Sequence, residues 1–151
     1  MAIDANLGKN YEYYDQEFYN LTIPIAPLTE IFHDGKWCEG PVWFADHHCL
    51  VWSDIPNNRL MRYVPGAVQG LAQNIQNISI FRHNSNYTNG NTRDREGRLI
   101  SCQHGTRSIS RTEWDGTITE LVSHYKGKRF NSPNDVVVKS DGTIWFTDPT
   151  Y

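Results

Sequence analysis

Three polar residues, Glu39, Asn89 and Asn134, head segments that share one layout. Each segment consists of the polar residue, a short strand, a turn and a second, apolar strand. If the segments are repeats of one structural unit, their first residues converge, and one carboxylate and two amides then offer only oxygen ligands. Oxygen ligands suit a hard divalent cation, Ca²⁺ before Mg²⁺. The alternative is that these residues cap turns or bond to their own backbone.

The spacing of the three segments favours a repeat. Residues 39 and 89 are 50 positions apart, and residues 89 and 134 are 45 apart. A period of roughly 40–50 residues is typical of one four-stranded blade of a β-propeller. In a propeller the innermost strands line a central channel, so equivalent positions in successive blades meet on one axis. Glu39, Asn89 and Asn134 hold this position, and we call them the axial residues.

Short strands dominate the chain after Pro27. Arg59 to Tyr63 alternates with period two, as half-buried strands do. Asp115-Gly116 and Asp141-Gly142 lie between apolar runs and predict type I′ hairpin turns. No stretch after Pro27 shows sustained helical periodicity. The sequence therefore predicts an all-β fold with antiparallel neighbours.

One of the six histidines is a candidate for the channel. His104 follows the second strand of its repeat, so it can face the same end of the channel as the axial residues. The alternative is a purely structural histidine. His47 and His48 fall in a predicted hairpin turn and are expected to be solvated, and the scattered His33, His83 and His124 are expected to be structural.

Composition excludes several classes of protein. The net charge of -3 argues against a nucleic-acid partner, since nucleic-acid binders are usually basic. No apolar run is long enough to span a membrane, and the polar, tyrosine-rich start lacks a secretory signal, which favours a cytoplasmic location. Three cysteines without a CxxC motif are expected to be reduced thiols that behave as small apolar residues.

Three motifs in order carry a resemblance to a known family. Phe130-Asn131-Ser132-Pro133-Asn134-Asp135, followed by Asp141-Gly142-Thr143-Ile144-Trp145-Phe146-Thr147-Asp148-Pro149, resembles the gluconolactonase branch of the senescence-marker-protein-30 family. Glu39-Gly40-Pro41-Val42-Trp43 resembles its first-blade motif. Thr88-Asn89-Gly90 with Cys102-Gln103-His104-Gly105 resembles its second-blade segment.

The resemblance implies a fold and a chemistry. Its members are six-bladed β-propellers that hydrolyse sugar lactones and related esters with a central divalent cation, often Ca²⁺. Carried over by motif, Glu39 is a metal ligand and Asn134 lies at the metal or its bound substrate. Asn89 and His104 are assigned to substrate contact. The family's remaining ligands, an Asn and an Asp that acts as acid/base, come from later blades, so no catalytic residue is assigned. Asp54 and Asp148 are expected to be turn or pocket residues.

The organisation that follows is an N-terminal arm, residues 1–27, and a partial propeller of about two and a half blades, residues 28–151. The tyrosines of the arm fit a short helix or an extended arm equally well. The expected function is the N-terminal part of a divalent-metal-dependent, gluconolactonase-like hydrolase acting on a small-molecule lactone or ester. The alternative is a non-catalytic propeller piece or binding scaffold. Open blade edges predict aggregation or self-association with a second copy.

Overall fold

The computed structural model describes residues 14–21, 29–66 and 77–151. The chain divides into two compact units, Met1–His33 and Asp34–Tyr151. The first contains a 3-10 helix, Gln16–Asn20, whose N-cap Asp15 accepts a hydrogen bond from the backbone of Glu17. Tyr11 and Tyr13 of the predicted arm lie outside the described residues. Within the described ranges, no helix is long and apolar enough to cross a membrane.

The second unit is built of antiparallel sheets. The first sheet has the order β1 (Cys38–Phe44), β2 (Cys49–Asp54), β3 (Arg59–Tyr63) and β4 (Ile78–His83). The second has the order β5 (Thr88–Arg93), β6 (Leu99–Gln103), β7 (Ser108–Thr112) and β8 (Ile118–Val122). A two-residue ribbon, β9 (His124–Tyr125) and β10 (Lys128–Arg129), precedes a third sheet of β11 (Val136–Val138) and β12 (Ile144–Phe146).

The first strands of the three sheets are neighbours in space. β1 packs against β5, and β5 packs against β11. Each sheet therefore starts at a common centre and runs outward strand by strand, which is the layout of propeller blades. The prediction of an all-β partial propeller of about two and a half blades is confirmed.

The apolar core lies between the blades. Leu99 on β6 joins a cluster with Val51 and Leu60 of the first blade. The next residue, Ile100, joins a separate cluster with Ile109 of its own blade and Val136 of the third. Successive side chains of a strand point to opposite faces of the sheet. The second blade is thus buried on both faces, and this fixes the blades relative to one another.

The predicted type I′ turns are wrong in detail. Gly116 and Gly142 have φ values of 86° and 87°, but the preceding aspartates keep negative φ, whereas a type I′ turn needs positive φ at both central residues. Gly116 N donates to Glu113 O at 3.0 Å. The turn is therefore type I, with glycine at its fourth position, and Asp115 Oδ1 accepts from the backbone of Thr117 at 2.9 Å.

Two elements of the structure were not predicted from the sequence, strand β4 and the ribbon β9–β10. β4, the outer strand of the first blade, mixes polar and apolar residues and is at most partly buried, so its pattern is weak. The ribbon β9–β10 has only two residues per strand. His47 and His48 are exposed, as predicted. Cys49 and Cys102 are buried free thiols, whereas Cys38 is exposed.

Candidate functional site

A cavity of about 380 Å³ opens at the end of the blades where the first strands begin. Its apolar walls come from Trp37, Ile55, Pro56 and Tyr151, and its polar groups come from Glu39, Asn89, His104 and Asn134. The structure therefore brings all four sequence-predicted site residues to one cavity, although they come from three different repeats.

Irregular pairing shapes the first two inner strands beside the cavity. The register of β1 against β2 shifts between Glu39 and Val42. The register of β5 against β6 shifts at the equivalent place, between Thr88 and Asn91. A β-bulge bends the strand and redirects its side chains. Both axial residues of the complete blades thus lie at bulges.

The loop that leads to each axial residue is clamped by a side chain at or just beyond the end of the second strand of the same blade. In every blade the clamped residue lies three positions before the axial residue. The pairs are Lys36 N to Asp54 Oδ1 at 3.1 Å, Asn86 Nδ2 to Gln103 Oε1 at 3.3 Å, and Asn131 N to Asp148 Oδ1 at 2.9 Å. We call these three contacts the blade clamps. They give the axial residues equivalent positions around the axis.

In two of the blade clamps the acceptor is an aspartate carboxylate that accepts hydrogen bonds from several donors. Asp54 is fully buried, and its Oδ2 accepts from Asn57 Nδ2 and Arg59 Nε, both at 2.8 Å. Burial raises the pKa of Asp54, but these hydrogen bonds outweigh it, so the net pKa is lowered. Asp148 Oδ1 accepts from the backbone of Asn131 and of Ser132, the latter at 2.8 Å. Both aspartates therefore order the rim rather than terminate a simple turn.

Two glycines let the inner strands approach one another closely. A Cβ on Gly40, which has φ +57°, would lie 2.6 Å from Asn89 O. A Cβ on Gly90 would lie 2.4 Å from Asn134 O, and Gly90 N donates to that same oxygen at 2.7 Å. Each glycine directly follows an axial residue. The axial residues are thus brought together by backbone contacts that no larger side chain permits.

A buried polar network ties the first blade to the second. Asn91 Nδ2 donates to Ser53 Oγ at 2.8 Å and to Gly40 O at 3.1 Å. Asn91 Oδ1 accepts from Ser101 Oγ at 2.8 Å, and Ser53 Oγ donates to Asn89 O at 2.6 Å. Buried polar groups are tolerated when they are hydrogen-bonded in this way. The network holds the backbone of Asn89 in place from below the cavity.

Asn89 and His104 contact each other at the cavity. Nδ2 of Asn89 lies 3.3 Å from Nε2 of His104. Because an amide NH₂ only donates, Nε2 accepts, and the proton of the neutral ring lies on Nδ1. Burial lowers the pKa of His104, outweighing a hydrogen bond to the backbone of Pro133 and the charge of Glu39, which both raise it. Asn89 Oδ1 is buried and has no hydrogen-bond partner among the described residues.

The other two axial residues are oriented by aromatic side chains. Trp37 Nε1 donates to Glu39 Oε1 at 2.9 Å. Asn134 Nδ2 donates to the hydroxyl of Tyr151 at 2.8 Å, and the Tyr151 ring meets His104 edge-on at 6.1 Å. This hydrogen bond engages the NH₂ group of Asn134 and fixes the orientation of its amide. Trp37 and Tyr151 were not predicted, because neither motif nor spacing distinguishes them from other surface aromatics.

The donor set of the cavity limits what it can bind. Glu39 and Asn134 supply oxygens, which suit Ca²⁺ or Mg²⁺ better than a soft metal. Across residues 14–21, 29–66 and 77–151, no three His, Cys, Asp or Glu side chains group closely enough to hold a metal ion. Glu39 and Asn134 alone would not supply the about six to eight oxygen ligands typical of Ca²⁺.

A second cavity of about 400 Å³ lies between the first two blades, away from the axial residues. Its lining includes Phe44, Val51 and Trp114. Arg98 and Glu113 also line it, and they pair with each other at 3.4 Å. The axial cavity is the better candidate for chemistry, because it is lined by Asn89, whose buried amide oxygen has no hydrogen-bond partner among the described residues.

Comparison with known proteins identifies similar sequences. The model of the SMP-30/gluconolactonase/LRE-like region matches residues 37–151. A gluconolactonase from Zymomonas mobilis is 32% identical, over 83% of this chain and 37% of its own length.

Solved structures agree with this match. A gluconolactonase from Xanthomonas campestris superposes with a TM-score of 0.70 and 38% identity, over 79% of this chain and 37% of that protein. Regucalcin from Agrobacterium tumefaciens, described as a calcium-binding protein, has a TM-score of 0.51 and 20% identity, over 72% of this chain and 36% of its own; at this identity the likeness concerns the fold alone. The chain thus spans little more than a third of the length of these relatives.

Proposed function

This chain belongs to the SMP-30/gluconolactonase/LRE-like family, and from that premise we propose that it carries part of the active site of a divalent-cation-dependent hydrolase of sugar lactones. The observation that carries the proposal is the convergence of Glu39, Asn89, His104 and Asn134 on one cavity from three separate repeats. Family membership supports the type of substrate, since the relatives from Zymomonas mobilis and Xanthomonas campestris, at 32% and 38% identity, are gluconolactonases.

The ligand chemistry of the cavity is consistent with Ca²⁺. Glu39 and Asn134 would hold the cation through carboxylate and amide oxygens. The chemistry that such a cation would supply there is polarisation of a lactone carbonyl and stabilisation of the developing oxyanion. One carboxylate is few for a Ca²⁺ site, so further ligands are expected from parts of the protein outside the described residues.

The chain's own residues would bind and orient the substrate. Trp37, Ile55 and Pro56 form an apolar wall that would contact the carbon skeleton and exclude water. Asn89 would contact a polar group of the substrate through its unpartnered amide oxygen. The hydrogen bond from Trp37 would hold the Glu39 carboxylate in one orientation. The general base that activates water is not assigned to any described residue.

The proposal is tested with the full-length protein. Hydrolysis of D-glucono-1,5-lactone is measured with added Ca²⁺ and after chelation, and Ca²⁺ affinity is measured separately by calorimetry. Glu39→Gln keeps the size of the side chain and removes its charge. We expect it to weaken Ca²⁺ binding about 10- to 100-fold, the scale of perturbed metal sites, with a parallel loss of activity.

Glu96→Gln is the matched control. Glu96 is exposed, pairs with Arg98, and lies in the turn at the far end of β5 from the cavity, so the same change there should leave both measurements unchanged. A folded full-length protein that hydrolyses no lactone at any Ca²⁺ concentration would support the binding-scaffold alternative instead. Equal behaviour of the two variants would remove Glu39 from the site.

A further inference from the structure

The contact between Asn89 and His104 has a role beyond lining the cavity. We infer that His104 is a positioning residue: it fixes the orientation of the Asn89 amide so that Oδ1 stays the free acceptor, and the site therefore selects a ligand that donates a hydrogen bond there, a hydroxyl group. This inference deepens the proposed function and rests on it for the substrate class.

The first observation is the asymmetry of the Asn89 amide. Its Nδ2 faces Nε2 of His104 at 3.3 Å, whereas its Oδ1 is buried without a partner among the described residues. Asn89 is only 4% exposed, although it lines the axial cavity. A buried acceptor without a hydrogen bond is unfavourable. A ligand hydroxyl that donates to Oδ1 removes this cost, whereas a ligand acceptor at the same place repels it.

The second observation is the anchoring of the imidazole. The imidazole forms a hydrogen bond with the backbone of Pro133. A proline backbone has no N–H, so its only polar group is the carbonyl, which accepts the hydrogen bond. A ring that donates from Nδ1 to this carbonyl presents Nε2 as an acceptor. If the Asn89 amide turned over, its oxygen would face the Nε2 lone pair. His104 thus imposes one of the two orientations of the amide.

The third observation is the comparison between blades. The residue after the clamp side chain is Ile55 in the first blade and His104 in the second, and both line the cavity. The blade architecture therefore accepts an apolar residue at this position. An imidazole is therefore not needed to build the blade, and its polar contacts with Asn89 and with the backbone of Pro133 are particular to the second blade.

The test compares two variants of His104 in the full-length protein. His104→Phe keeps a ring against Tyr151 but removes the acceptor, and His104→Gln restores an acceptor oxygen. The substrates are D-glucono-1,5-lactone and its four monodeoxyfluoro analogues, because fluorine accepts but does not donate. In the wild type, fluorine at one position should raise KM at least tenfold. His104→Gln should keep that penalty, and His104→Phe should reduce it to less than threefold, because the freed amide can turn its NH₂ to the fluorine.

The penalty separates positioning from mere structural support. If His104→Phe only destabilises the fold, the melting temperature falls and the activity toward all five substrates decreases by the same factor. This result would overturn the inference. The same fluorine penalty in the wild type and His104→Phe at every position would also overturn it.

A readout independent of activity distinguishes this inference from the proposed function. Nitrogen-15 NMR of the wild type at pH 8 should show His104 protonated on Nδ1. Protonation on Nε2 would refute the positioning role whatever the activity. An Nδ1–H ring in a protein that hydrolyses no lactone would refute the proposed function and leave the positioning of Asn89 standing.

Discussion

Replacing Gly90 with alanine should displace the third axial residue by a measurable amount. The added Cβ would lie 2.4 Å from Asn134 O and 2.7 Å from the Cα of Asp135, where ordinary contacts begin at 3.4 Å. The strands must therefore separate by about 1 Å. Both obstacles belong to backbone or its oxygen, so no side-chain rotation relieves the clash.

The magnitude follows from three contributions. Overpacking of a tight contact costs about 1–3 kcal/mol. The hydrogen bond from Gly90 N to Asn134 O, 2.7 Å long, is stretched by the separation, which costs about 1 kcal/mol more. Alanine restricts the unfolded chain and returns about 0.4–1 kcal/mol. The free energy of unfolding should fall by about 1–3.5 kcal/mol. If Asn134 moves with its strand, kcat/KM for the lactone should fall about 100-fold.

Gly116→Ala is the control for this variant. Gly116 has φ +86° but no atom within 4 Å of an added Cβ, so it carries backbone strain without a clash. The free energy of unfolding of this variant should fall by about 1 kcal/mol, and its activity should not change. Urea denaturation and steady-state kinetics of both variants in the full-length protein provide the measurements. If Gly90→Ala proves no less stable than Gly116→Ala, the close approach of the inner strands does not exist as described.

Three further predictions concern the clamps and the titrating groups. Asp148→Asn removes charge from the third blade clamp and should cost about 2 kcal/mol of unfolding free energy, with faster hydrogen exchange in the loop it holds; unchanged exchange would contradict the clamp. Hydrogen bonds, first from the Thr143 hydroxyl, lower the pKa of Asp141 to about 2, so its carboxylate stays ionised until the pH falls through that value; Thr143→Val should raise the pKa measured by NMR, and an unaltered titration would exclude the hydroxyl as the cause. Burial raises the pKa of Cys102 to about 12, so at pH 8 a thiol reagent should modify exposed Cys38 first and leave Cys102 protected; equal rates would show that the second blade opens readily.

The axial positions could be predicted because the repeat determines them. A period of one blade places residues 39, 89 and 134 at equivalent points around the axis, and all three line one cavity. The polar character of these positions was visible in the sequence, and so was His104 at the end of a strand. Strands could also be predicted wherever apolar and polar residues alternate clearly.

The parts that position these residues could not be predicted. Asp54 and Asp148 align in the repeat, but their partners include backbone N–H groups, which leave no trace in the sequence. Asn91 reads as one more polar residue in a polar segment until its partner Ser53, 38 positions away, is seen beside it. The turn at Gly116 was misjudged because an Asp-Gly pair fits two turn types, and loop length decided between them.

The blade clamps have a consequence for how such a site can change. In each of the three blades the clamp holds the loop before the axial residue through a backbone or side-chain group of the loop, and the clamp itself does not use the axial side chain. A substitution at position 39, 89 or 134 therefore changes the functional group at the axis, while the clamp that holds the preceding loop stays in place. Chemistry and scaffold are separable here, and each blade contributes one interchangeable group to the axis.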